Sequence, residues 1–115
     1  MQRELETKQE LLTRMSQVAA LVQLFEALES KLGLARNTLK LEIMIETPQS
    51  IVNARGACAM PSFVAAAQGR CVAAHFGVYD YTASSSVSAP YQSLDHPSCD
   101  FARHMMTVAL TGTEV

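Results

Sequence analysis

Hydrophobic and polar positions fall into blocks along the chain, and each block predicts one element. Over residues 2 to about 32, Leu11, Met15, Val18, Val22, Phe25 and Leu32 recur mostly three or four positions apart, and Leu12, Leu21, Leu24 and Leu28 widen the stripe. That spacing gathers apolar groups on one face of a long helix, and Gly33 suits its C-terminal cap. The face either packs on a sheet or, given the highly polar first 15 residues, joins a coiled coil or dimer. After a connector over 33–38, residues 39–46 read as a buried parallel strand containing Leu41-Glu42-Ile43-Met44-Ile45-Glu46. Thr47 is placed to cap the next helix and Pro48 to open it, with the helix covering about 49–58. Gly56, Met60 and Pro61 blur the pattern. Ser62 is placed to cap a short turn over 63–67, which Gly69 closes. A second buried strand is predicted over about 71–79. Its small residues Ala73, Ala74 and Gly77 point to tight packing or a close approach of ligand to backbone. Residues 81–96 then lack a pattern, and loops of this length are often functional. This one reads as a flexible surface loop or as a site lid. Pro97 and Ser98 open a last helix running to about residue 110, with Phe101, Met105 and Val108 on its core side.

The order helix, strand, helix, strand, long loop, helix predicts an α/β fold with all strands parallel. The 115 residues suffice for one domain over 1–115 with a modest core. A hydrophobic fraction of 49% with 17% charged residues is that of a globular chain. The net charge of −2 and the lack of any Lys/Arg cluster give no field for nucleic acid. No apolar run approaches the roughly 20 residues that span a bilayer. The N-terminus is too polar for a secretion signal, so a cytoplasmic location is expected. Cys58, Cys71 and Cys99, odd in number and without CxxC spacing, read as reduced and mostly buried thiols rather than a disulfide framework or zinc site.

Two acids carry the candidate chemistry. Glu46 and Asp80 each end an apolar run and lie 34 positions apart, the length of one βαβ unit. Both should therefore emerge at the carboxyl edge of one sheet, where α/β folds build their sites. Neighbouring strands are about 4.8 Å apart, so the two carboxylates can share one divalent cation, with Mg²⁺ (or Mn²⁺) the natural occupant of an oxygen site. The structural reading has Glu46 interacting with the following helix N-terminus and Asp80 capping a turn. His75, inside the second strand, reads as a core histidine or a base. His96, in Asp95-His96-Pro97, reads as part of a capping turn or as a catalytic acid or base. Arg55 and Arg70 read as solvated surface groups. GxSxG, P-loop, GxGxxG and HExxH patterns are all missing.

At Ile43-Met44-Ile45-Glu46-Thr47-Pro48, with Asn53-Ala54-Arg55 downstream and then Phe76-Gly77-Val78-Tyr79-Asp80-Tyr81, the chain resembles the HpcH/HpaI aldolase/citrate lyase family of the phosphoenolpyruvate/pyruvate-binding TIM-barrel superfamily. The resemblance covers about residues 18–115. It implies part of a (β/α)8 barrel in which Glu46 and Asp80 bind Mg²⁺ or Mn²⁺ and backbone groups near Gly77 and Val78 approach the substrate. The implied activity is metal-assisted carbon–carbon cleavage, or its reverse, on a keto acid or acyl-CoA that passes through an enolate. Tyr79-Asp80-Tyr81 is also close to the pattern of malate synthases, so condensation with an acyl-CoA stays open. A non-catalytic chain that forms a homo-oligomer through its first helix is the third reading. A barrel needs eight strands and two are legible, so the chain reads as the middle of a longer enzyme with weak or no activity alone.

Overall fold

The computed structural model describes residues 2–115, with side chains from Arg14 onward. Among the described residues it contains five α-helices, one 3₁₀ turn and two strands. Helix α1 (Gln2–Leu32) leads to β1 (Leu41–Ile45), then α2 (Pro48–Ile51), α3 (Met60–Ala66), β2 (Cys71–Phe76), α4 (Val78–Ser84), a 3₁₀ turn (Ala89–Tyr91) and α5 (Pro97–Leu110). The α/β class and the parallel pairing are as expected: β1 and β2 form one two-stranded parallel sheet. None of these helices is long and apolar enough to cross a membrane.

Alternation along the strands decides which face is covered. Leu41, Ile43 and Ile45 point one way and pair in register with Cys71, Ala74 and Phe76. Ile45 meets Ile51, Ala59, Met60, Phe63, Tyr81, Cys99, Ala102 and Met106 in the main core, so α2 to α5 cover this face. A register shift after Leu41 leaves Val72 exposed and restores the alternation, so no strand residue is forced onto the wrong side. The opposite face carries Glu42, Met44, Ala73 and His75 and lies open, with Met44 52% exposed. The strands are therefore buried on one face rather than two. Parallel sheets are usually covered on both.

Helix α1 packs on α3. Val22 is buried, and Val18 and Phe25 pack against the Leu41–Ala67–Cys71 cluster. Leu21, Leu24, Leu28 and Leu32, read as part of the buried stripe, are exposed instead; Leu11 and Leu12 lie outside the described side chains. Their place in the stripe is taken by Glu29, which is 2% exposed. Arg70, read as a surface group, is 1% exposed and grips Glu29 with Nη1 and Nη2 at 2.6 and 2.9 Å. The same carboxylate accepts the Leu39 and Asn37 N–H groups, and Nη1 also donates to the Leu39 carbonyl. Every charge in this cluster is thus paired, as burial demands. It stitches α1, the connector and the start of β2 together at the amino end of the sheet. Gly33 caps α1 as expected: at φ +67 it lets the Leu34 N–H reach the Glu29 carbonyl and its own N–H reach that of Ser30.

Four other expectations fail locally. The helix predicted over 49–58 stops at Ile51, because the Asn53 side chain takes the Arg55 and Ala57 N–H groups and Gly56 turns the chain at φ +75. The next helix starts earlier than expected, at Met60 with Pro61 in its first turn, and Ser62 does not cap it. Residues 81–96 are not a free lid: α4 begins straight after β2, anchored by buried Tyr81 and Thr82, and the 3₁₀ turn follows. In α5, Cys99, Ala102 and Met106 face the core, while Phe101 and Val108 are exposed.

Candidate metal centre

The carboxyl edge of the sheet gathers the two predicted acids. Glu46 follows Ile45 directly, at the end of β1. Asp80 is not at a strand end: β2 stops at Phe76, and Asp80 sits in the first turn of α4, where an acidic group suits the helix dipole. The tight passage from strand to helix swings it back toward β1, and its carboxyl comes within hydrogen-bonding reach of Glu46. Glu46 is half-buried and Asp80 exposed. Partial burial, then the hydrogen bond to Asp80 and its charge, push the Glu46 carboxyl above the ordinary carboxylate range; the nearby charges of Arg14 and His75 pull the other way. Two carboxyls this close repel each other when both are ionised, and a cation placed between them would relieve that repulsion.

Gly77 is the hinge of this arrangement. Its N–H donates to the Ile45 carbonyl at 2.9 Å, which seats it beside Glu46. A Cβ at this position would lie 2.6 Å from the Glu46 Cβ, 3.1 Å from Glu46 Oε2 and 3.1 Å from Met44 Sδ. Only a residue without a side chain allows this approach. The Gly77 and Val78 carbonyls accept from the Tyr81 N–H and the Thr82 hydroxyl within α4.

Three groups that sequence reasoning did not assign to the site stand around the pair. Arg14, from α1, donates from Nη1 to Thr47 Oγ1 at 2.9 Å, and Thr47 Oγ1 shares a hydrogen bond of 2.7 Å with Ser50 Oγ. Thr47 is the N-cap of α2 by position, yet its hydroxyl makes these contacts rather than a backbone cap. Glu42 and His75 pair across the open sheet face at 2.7 Å, so His75 is a half-exposed partner of an acid and not a core histidine. The alternation of 42, 44 and 46 against 75 and 77 places this pair on the face that ends in Glu46, a signal the sequence did contain. Arg14 left none, because nothing local says where a long helix will lie. His96 forms the N-cap of α5, with Nδ1 accepting the Ser98 N–H and pairing with Ser98 Oγ. The Tyr81 hydroxyl donates to the Ser98 carbonyl, tying that cap to α4.

The donor set fits a hard divalent cation. Mg²⁺ and Mn²⁺ favour oxygen ligands, and Mg²⁺ is commonly held by one or two carboxylates with the remaining positions left to water or substrate. Among the described residues no group of three or more His, Cys, Asp or Glu side chains converges, so a cation here would draw on these two carboxylates and on water or substrate. No curated protein and no solved structure matches the chain. A family model covers residues 10–115, both strands and α2 to α5 included, and the chain belongs to that family, described as a domain of unknown function (DUF6986).

Proposed function

We propose that the chain carries the divalent-cation site of a carbon–carbon lyase or aldolase, built on part of a (β/α)8 barrel of the HpcH/HpaI aldolase/citrate lyase kind. The observation that carries the reading is the meeting of the Glu46 and Asp80 carboxyls at the carboxyl edge of parallel strands. Leaving two like charges together opposes folding, and crowded carboxyls with a raised affinity for protons are what a cation site provides. The open sheet face with its polar Glu42–His75 pair, and strands that pair only with each other among the described residues, support a barrel interior on that side.

When bound, the cation supplies the positive charge that offsets an enolate oxygen as a carbon–carbon bond breaks or forms. Glu46, fixed by β1 and by contact with Gly77, and Asp80, fixed by the first turn of α4, are the residues that would hold it. A keto acid or acyl-CoA is the substrate class this chemistry serves. Calorimetric titration with Mn²⁺ tests the reading. Wild type should bind one ion, and Glu46→Gln should lose more than about tenfold in affinity, since losing even a hydrogen-bond partner of a metal ligand typically costs about 10–100-fold. A folded wild-type chain that takes up no Mn²⁺, or a Glu46→Gln variant that binds it equally well, would sink it.

A further inference from the structure

We propose that His75, held by Glu42, passes a proton to and from the substrate carbon beside the Glu46/Asp80 site, an inference that rests on the lyase reading above. The argument begins with strand register. Met44 pairs with His75, so on the open face His75 stands diagonally between Glu42, toward the amino end of β1, and Glu46, just past its carboxyl end. At about 3.3 Å per residue along a strand and about 4.8 Å between strands, each diagonal spans about 8 Å of backbone, a gap that two long side chains close. On one diagonal it is closed: Glu42 Oε1 lies 2.7 Å from His75 Nδ1. On the other, the imidazole is near enough for its charge to act on the Glu46 carboxyl. The side chain between them is Met44, unbranched, adaptable and 52% exposed.

The pairing decides which ring nitrogen does the chemistry. An ionised carboxylate only accepts hydrogen bonds, so Glu42 places the ring proton on Nδ1 and leaves the lone pair of the neutral ring on Nε2. Among the described residues the ring makes no second hydrogen bond, and the His75 side chain is 45% exposed, so Nε2 is open to a ligand. The same carboxylate stabilises the imidazolium that forms when Nε2 gains a proton. The step balances between ring and substrate. Nε2 takes a proton from the carbon next to the carbonyl, the C–H pair becomes the C=C of the enolate, and the carbonyl π pair moves onto oxygen. In the cleavage direction Nε2 returns that proton to the enolate carbon. Glu42 is thus a positioning residue and His75 the catalytic one.

Two measurements test this. The first needs no cation: NMR of isotope-labelled histidine in the apo chain, with the ring neutral, should show His75 as the Nδ1–H tautomer, and an Nε2–H tautomer overturns the proposal. The second follows exchange of the pyruvate methyl protons into deuterated water on the Mg²⁺-loaded chain. Exchange needs only the cation, the keto acid and the base, not the groups that make or break a carbon–carbon bond. His75→Ala should slow it at least about a hundredfold, the ordinary worth of a positioned acid–base group, with calorimetric Mg²⁺ affinity unchanged and added imidazole restoring part of the rate. Glu42→Gln should slow exchange alone and add nothing to His75→Ala, because it acts through the ring. If the two are only a surface ion pair, His75→Ala will exchange at the wild-type rate. If they only support the sheet, exchange and Mg²⁺ affinity will fall together and imidazole will restore nothing. Either result overturns the proposal, as does a Mg²⁺-loaded wild type that exchanges no protons. Failure of wild type to bind Mg²⁺ removes the underlying lyase reading instead, a result recorded before pyruvate is added.

Discussion

Gly77→Ala is the smallest change that should disable the site. The added methyl would sit 2.6 Å from the Glu46 Cβ. Carbon atoms settle at about 3.5–4.0 Å, so the two backbones must separate by about 1 Å. Met44 Sδ, at 3.1 Å, can swing aside, and Glu46 Oε2 can rotate. The Glu46 Cβ cannot, because it is fixed to the end of β1. The strain falls on the 2.9 Å hydrogen bond from the Gly77 N–H to the Ile45 carbonyl and on the turn that carries Asp80. At φ −91 and ψ 95 the backbone of residue 77 accepts alanine without torsional penalty, so the whole effect is steric. Overpacking of this kind costs about 1–3 kcal/mol, and metal ligands tolerate displacements of only about 0.2 Å. Thermal melts followed by circular dichroism, with and without Mn²⁺, should show a melting temperature several degrees lower and a metal-induced rise that has vanished. Adding Met44→Ala should not rescue the variant, since the tightest contact is with Glu46. A Gly77→Ala protein with the wild-type melt and the wild-type response to Mn²⁺ would refute this account, and rescue by Met44→Ala would show that the sulfur, not the strand end, is the obstacle.

Asp80→Asn should act in opposite directions on the apo and loaded protein. Removing one of two facing negative charges should raise the melting temperature slightly without metal. It should also abolish the stabilisation of about 2.7 kcal/mol that a ligand at a hundred times its Kd confers on the wild type, and a fall in apo stability would show that the carboxyls do not repel. Arg70→Met leaves the Glu29 carboxylate buried and unpaired, and should lower the melting temperature by more than about 10 °C; a loss of a degree or two would mean the pair is not buried in solution. The hydrogen bond from Arg70, chiefly, holds the Glu29 carboxyl at about 2, below the ordinary 4.5. A depressed carboxyl stabilises the fold fully above 4.5 and loses that contribution as pH falls toward 2. Acid unfolding should therefore steepen below pH 4.5, and Glu29→Gln should flatten that limb; an unchanged acid limb in the variant would contradict the assignment.

How much of this was legible in the sequence depended on the range over which each signal acts. Helix α1, the two parallel strands, the last helix and the Gly33 cap follow from local periodicity and one residue's backbone freedom, and all appear in the structure. The meeting of Glu46 and Asp80 was legible because a βαβ unit fixes which strand ends share an edge, even though the structure places Asp80 one helical turn past its strand. The helix over 49–58 failed because an Asn53 turn outcompetes helix propensity there. α4 was missed because its buried residues, Tyr81 and Thr82, gain their stability from packing rather than from a periodic stripe. Arg70 and Glu29 were beyond reach for a different reason. They lie 41 positions apart, and nothing near either charge announces that the other will neutralise it.

The two acidic sites of this fold show what the arrangement asks of each end of the sheet. At the amino end, Glu29 meets an arginine and two backbone N–H groups, and no side-chain atom buried among the described residues lacks a hydrogen-bond partner. At the carboxyl end, Glu46 meets a second acid, and its carboxyl is pushed up rather than held down. The same residue type thus stabilises the fold in one place and weakens it in the other. Packing cannot explain the second case, because replacing either acid by its amide would remove the repulsion at no steric cost. On the proposed reading a ligand of opposite charge explains it, and Gly77, which leaves room beside Glu46, belongs to the same arrangement. If that is the reason for the arrangement, substitutions at the two ends should separate cleanly. Those at Glu29 and Arg70 should lower stability with Mn²⁺ affinity intact in the folded fraction, and those at Glu46 and Asp80 should do the reverse.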